Sequence, residues 1–116
     1  MPTYKDIPQC LKDIEGRIKG NKKAIKKLAK YNGPIQMTFV DTGRKVLMVV
    51  TGEQGFEIKD NTGDDNAVVK IEFIAEQVMV DIFNKETGVI KAKASGKISV
   101  IEGQMRSLIK LRGLLF

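Results

Sequence analysis

The amino-acid sequence predicts an α+β domain: one five-stranded, mostly antiparallel sheet with helices packed on it. Three observations carry that expectation. Apolar residues recur at helical spacing at both ends of the chain and again before the last strand, whereas alternation of period two dominates the middle, from Ile35 to Phe73. The connections between the alternating segments are rich in Gly, Asp and Asn. A chain of 116 residues, 42% hydrophobic and 29% charged, is large enough for one core and too small for two, so residues 1–116 read as a single domain.

Asp6, Pro8 and Gln9 read as an N-cap, a proline tolerated in the first helical turn and a residue able to complete a capping box, so a helix starts there. Ile7, Leu11, Ile14 and Ile18 form its apolar face. Gly20-Asn21 interrupts that face, and Asn21 caps a shorter helix that runs to Tyr31. Asn32-Gly33-Pro34 ends it, because glycine accepts the left-handed C-cap conformation and proline cannot continue a helix. From Ile35 the period drops to two. Ile35, Met37 and Phe39 alternate with Gln36 and Thr38, Asp41-Thr42-Gly43-Arg44 is a turn, and Lys45 to Val50 returns as the second strand of a hairpin. Val46 to Val50 are all apolar, which predicts a strand inside the sheet and covered on both faces. Gly52 and Gly55 bracket a turn before Phe56-Glu57-Ile58-Lys59. The polar loop from Asp60 to Asn66 leads to Val69-Lys70-Ile71-Glu72-Phe73, and the four strands read as a meander.

Ala75, Val78, Met79, Ile82 and Phe83 fall at i, i+3, i+4, i+7 and i+8, the spacing of an amphipathic helix. Asn84 to Gly88 breaks it, Val89 to Ala94 suits a short helix, and Gly96 and Gly103 delimit a last strand ending at Ile101. Beyond Gly103, Met105, Leu108, Ile109, Leu111, Leu114 and Leu115 form a stripe too wide for a simple surface helix, so this helix either has two apolar contacts or leaves one greasy side exposed. The order is α-α-β-β-β-β-α-(α)-β-α.

The chain has no His and one Cys, Cys10, which excludes disulfide frameworks, zinc sites built on Cys and His, and Ser-His-Asp or Cys-His catalysis. No cofactor, no metal and no enzymatic activity is expected; Cys10 reads as a small core or boundary residue. Asp60 to Asn66 lacks the glycine and the glutamate of a calcium loop, and Gly52, Gly55 and Gly63 precede no helix at the spacing of a phosphate-binding loop. No window approaches the roughly 18 apolar residues of a membrane span, and Met1 to Asp6 is unlike a secretory signal, so a cytoplasmic location is expected.

Charge is unevenly distributed. Nine of the 20 Lys and Arg but only three of the 14 Asp and Glu precede Ile35, so that segment carries the whole net charge of +6. In a helix, Lys23, Lys26, Lys27 and Lys30 fall in one cationic stripe opposite Ile25, Leu28 and Ala29. With Lys22 they are the candidate contact for an anionic surface, the plainer reading being a solvated outer face. Tyr4 and Tyr31 flank this segment, but two aromatics without an RNA-binding motif give weak support for nucleic acid as a partner.

From about Ile7 to Phe116 the succession resembles the sterol carrier protein type two family. The most specific stretch is an alternating strand (Val69 to Phe73), an amphipathic helix (Ala75 to Phe83), a break at Gly88, then Ser95-Gly96-Lys97-Ile98-Ser99-Val100-Ile101-Glu102-Gly103 and a Leu-rich helix. Gly96-Lys97 and Gly103 match that family's "GK, strand, G" pattern, and Ile35 to Phe39 with its hairpin matches its opening strands. The resemblance implies a five-stranded sheet covered by helices, with an apolar tunnel between them that holds fatty acyl chains, sterols or similar lipids. The sequence ends in Leu114-Leu115-Phe116 rather than a Ser-Lys-Leu-type address, so peroxisomal targeting is unsupported and the case for sterol weakens with it.

The residues make a physical case of their own. Met37, Met48, Met79 and Met105 sit on four separate core-facing elements, and unbranched thioethers re-pack around a variable hydrocarbon more readily than Leu or Ile. At about 0.8 kcal/mol per buried methylene, ten chain carbons supply about 8 kcal/mol, enough for micromolar binding without a polar motif. The wall predicted for such a ligand is Met37, Phe39, Met48, Val78, Met79, Ile82, Phe83, Met105, Leu108, Ile109 and Leu111, with the terminal helix as a movable lid. The function expected is non-catalytic binding and transfer of fatty acyl chains, acyl-coenzyme A or sterol-like molecules. The alternatives are nucleic-acid binding by the Lys22 to Lys30 face and a domain that presents an apolar substrate to a lipid-modifying enzyme. Oligomeric state is left open.

Overall fold

The computed structural model describes residues 4–52, 55–103 and 105–116, the side chain of residue 105 excepted. Two helices open the fold, α1 (Ile7–Ile18) and α2 (Lys22–Ala29). The Asp6 side chain accepts from the Gln9 backbone N–H, as the cap reading requires. Gln9 does not close a capping box on Asp6, however; its Oε1 accepts from the Lys5 backbone N–H at 2.7 Å. Ile7, Cys10, Leu11, Ile14 and Ile18 are all buried, and Asn21 caps α2 as expected. On α2 the buried face is Ala24, Ile25 and Leu28, while Ala29 is exposed.

The expectation for Gly33 needs correcting. Asn32, not Gly33, adopts the left-handed conformation after α2, with φ 58. Gly33 serves a different purpose: a Cβ there would lie 2.6 Å from Val68 Cγ1, so any other residue forces the Val68 side chain to move.

The strands are β1 (Ile35–Phe39), β2 (Arg44–Val50), β3 (Phe56–Asp60), β4 (Val69–Phe73) and β5 (Ile98–Glu102), in the order β3-β2-β1-β4-β5. The meander therefore stops after β3. β4 pairs in parallel with β1, from Ile35↔Val69 to Phe39↔Phe73; the other three pairings are antiparallel. Burial explains this arrangement. β1 is nearly sealed, which suits a central strand, whereas β3 exposes Glu57, Lys59 and Asp60 and is suited to an edge. Gln36 anchors the crossing loop, its Oε1 accepting from the Asp64 N–H at 2.7 Å while Pro34 O accepts from the Val68 N–H at 2.9 Å.

Register places Ile35, Met37, Phe39, Val46, Met48, Val69, Ile71 and Phe73 on one face of the sheet, and all are buried. The helices pack there: α1 and α2 over β3 and β2, α3 (Glu76–Phe83) over β4, and α4 (Val89–Ala94) against β5 and α5 (Met105–Leu115). β2 lies inside the sheet as expected, but its second face is covered only at Leu47; Val49 remains partly exposed. Ala75, the residue before α3, offers no side-chain cap, and Asp41 of the β1–β2 turn accepts from the Glu76 N–H instead. Arg44 ties the same corner together, pairing with Asp60 of β3 at 2.8 Å and Glu76 of α3 at 3.2 Å. Among the described residues no helix is long and apolar enough to cross a membrane.

Candidate functional site

A cleft of about 740 Å³ opens where α1, the end of α3 and the end of α5 meet. Its apolar floor is Ile82, Phe83, Val89 and Phe116, and Tyr4, Asp13, Arg17, Lys85 and Arg112 supply its polar rim. From this floor a ladder of aromatic rings runs inward. Tyr4 meets Phe83 edge-on at 5.2 Å, Phe83 meets Phe116 at 5.8 Å, Phe116 meets Phe73 at 6.3 Å, and Phe73 stacks on Phe39 at 5.0 Å. The ladder begins in a half-open cleft and ends at a ring with no exposure at all.

Two polar devices hold the cleft. Tyr4 N–H donates to Asn84 Oδ1 at 3.1 Å, and Asn84 Nδ2 donates back to Tyr4 O at 2.8 Å, so the segment before α1 is fastened to the end of α3. Burial raises the Tyr4 phenol above its ordinary pKa, and the neighbouring Asp13 carboxylate adds to the effect. Arg17 does more. Its Nε donates to Asp13 at 3.0 Å, while Nη1 and Nη2 donate to the backbone oxygens of Leu114 and Leu115 at 3.2 and 2.6 Å. One guanidinium on α1 therefore satisfies carbonyls at the end of α5 that the helix itself leaves open, and so seats Phe116 against Phe83.

Most of the predicted wall is elsewhere. Met37, Phe39, Met48, Val78, Met79, Ile82, Leu108 and Leu111 belong to one closed core, each 7% exposed or less. Phe83 packs on that core from the side, and of the whole set only Ile82 and Phe83 line the cleft. Ile109 stands apart from that core, 49% exposed, because one residue beyond Leu108 the helix has turned by about 100°. Met105 opens α5, but its side chain lies outside the described residues. On the face where the apolar tunnel was expected these side chains form one buried cluster, and no tunnel is shown among the described residues.

The lysines Lys22, Lys23, Lys26 and Lys27 of α2 and Lys30 at its C-cap are all exposed. Among the described residues no group of three or more His, Cys, Asp or Glu is placed to hold a metal. Sequence reasoning missed the rim residues Arg17, Lys85 and Arg112 and the rings of Tyr4 and Phe116. The Asp13–Arg17 pair was legible as an i, i+4 spacing, but the reach of Arg17 to α5 spans 98 positions and leaves no local signal.

No family model matches the sequence, and no curated protein matches it either. Solved structures do. Sterol carrier protein 2 from Yarrowia lipolytica, in its apo form, superposes with a TM-score of 0.67 at 12% identity, over 92% of this chain and 84% of that one. The chain has the sterol carrier protein 2 fold. The solution structure of palmitated SCP2L2 from Aedes aegypti shares that fold with a TM-score of 0.64 at 17% identity, covering 96% and 95% of the two chains. The fold also matches part of the sec-alkylsulfatase Pisa1 from Pseudomonas sp., with a TM-score of 0.63 at 13% identity; the match takes 85% of this chain but spans only 15% of the sulfatase.

Proposed function

We propose that this domain binds lipids without acting on them, and that the cleft between α1, α3 and α5 receives the anionic head of an amphiphile whose acyl chain runs along the aromatic ladder. The observation that carries the reading is the pairing of an apolar floor with a rim of Arg17, Lys85 and Arg112. Only Asp13 opposes those cations there, and Arg17 is already partnered by it, so Lys85 and Arg112 remain for a carboxylate or phosphate. A chain entering past Phe83 meets Phe116, whose seat depends on one guanidinium; displacing that ring gives the chain access to Phe73 and the methionine-bearing core behind it. The palmitated neighbour from Aedes aegypti supports an acyl chain as the ligand class. The net charge of +6 supports transfer, since it speeds encounter with anionic bilayers in a salt-dependent way.

Displacement of a fluorescent fatty acid by palmitate tests the proposal. Saturable binding with a dissociation constant of about micromolar order is expected. Lys85→Gln with Arg112→Gln should weaken palmitate about tenfold while leaving hexadecanol unchanged, because only the carboxylate uses the rim. Palmitate that fails to displace the probe at about millimolar concentration would overturn the reading. A second reading, presentation of an apolar substrate to an enzyme, is favoured by one observation: the same fold forms a minor part of the sulfatase chain.

A further inference from the structure

A second cleft, of about 570 Å³, opens between α2 and α5, away from the one described above, and Lys27, Lys30, Tyr31 and Lys110 line it. It shares Lys30, Tyr31 and Lys110 with a depression of about 380 Å³ that continues along α5 past Ser107 to Arg106. Lys30 at the C-cap of α2 and Lys110 of α5 line both adjoining depressions, Lys27 of α2 lines the first and Arg106 of α5 the second, so each side supplies two cations to one continuous groove. No Asp or Glu lines either depression. Among the described residues none of these four cations forms an ion pair. Four unneutralised cations converging from two sides repel one another, and an anion placed between them removes that repulsion.

The floor adds hydrogen-bonding groups and a flat ring. Tyr31 is partly buried and lines the floor beside Ser107, itself only 7% exposed. Burial pushes the phenol above its ordinary pKa, so Tyr31 keeps a hydroxyl proton to donate. By contrast, Lys22, Lys23 and Lys26 lie on α2 outside both depressions. The cationic stripe of the sequence is thereby split by the tertiary structure into an outward-facing half and a half that lines a groove with α5.

We propose that the α2–α5 groove is a binding site for the phosphate groups of a small, soluble, diphosphate-bearing molecule such as a nucleoside diphosphate. Concavity decides between that ligand and a bilayer. A planar surface reaches only the rim of a groove and meets the outward lysines at least as well, whereas two linked phosphates enter between the helices and are met from both. Tyr31 supplies the ring on which a base can stack. This site does not rest on the lipid reading.

The test uses two triple variants of the full chain that remove the same charge, Lys27→Gln/Lys30→Gln/Lys110→Gln in the groove and Lys22→Gln/Lys23→Gln/Lys26→Gln outside it. Isothermal titration at about 0.1 M salt with ADP and with inorganic pyrophosphate is read against thermal unfolding of each variant. Both probes should bind the unaltered chain and the outer variant within about twofold of each other, and the groove variant about tenfold more weakly. Fluorescent fatty-acid binding should be unchanged in all three, which separates failure here from failure of the lipid reading. Equal weakening in both variants reduces the effect to general charge and overturns the proposal. So does absence of binding by either probe, or binding confined to phosphatidylglycerol vesicles.

Discussion

The layer between sheet and helices is closed in two different ways. Over β1 and β4, Met37, Phe39, Phe73 and Met79 have no exposure and are held by neighbours on every side. At the meeting of α1, α3 and α5, Tyr4, Phe83 and Phe116 are only partly buried and touch edge-on, Tyr4 held by Asn84 and Phe116 by the reach of Arg17 to the end of α5. The same aromatic ladder joins both regions. The contrast teaches that the edge of this layer rests on a few hydrogen bonds that can open locally, whereas opening the interior costs packing throughout.

Phe39→Ala strikes the closed region and should have the largest effect, a loss of about 3–5 kcal/mol in urea or guanidinium unfolding. A loss under about 1 kcal/mol would mean that the interior is already loose, and the contrast fails. Arg17→Ala strikes the open region. It removes the hydrogen bonds to Leu114 and Leu115 and should cost about 1–3 kcal/mol. Its signature is local: hydrogen exchange at the end of α5 should accelerate well before global unfolding, and lipid uptake should quicken. Uniform acceleration across the sheet would show that the two regions open together.

Cys10 reports on closure by titration. Burial, reinforced by Asp6 and Asp13, pushes its thiol up to about 12. A folded pKa above the unfolded one favours the neutral thiol in the native state, so this contribution is present below about pH 9 and is lost as pH rises from there towards 12, at about 1.4 kcal/mol per pH unit. Unfolding free energy of Cys10→Ala should therefore fall less steeply above pH 9 than that of the unaltered chain. Parallel curves would place Cys10 in a wetter setting than the core. The smallest effect is expected at Ile109→Lys, which changes an exposed position and should stay within about 0.5 kcal/mol in stability with no change in fatty-acid affinity. A tenfold loss of affinity there would return Ile109 to the ligand wall.

Elements were legible where the signal is local. Asp6, Asn21 and the apolar spacing of Ile7, Leu11, Ile14 and Ile18 specify α1 and the start of α2 through contacts within four residues, and the period-two runs specify the strands. The cleft was not legible, since its walls come from residues as far apart as Tyr4 and Phe116. Gly33 shows the same divide at one position: a turn glycine by its neighbours, and a close-approach glycine once Val68 is beside it.

Composition and periodicity were enough to establish the element order, the apolar face of α1 and the absence of His, because all three follow from residue type and short-range geometry. Long-range packing alone decided that β4 returns to pair with β1, that Met37, Met48 and Met79 join one buried core, and that the lysine stripe divides between solvent and a groove with α5. Those outcomes depend on which surfaces meet after the chain has folded back on itself, and pairing between residues tens of positions apart leaves no periodicity to read.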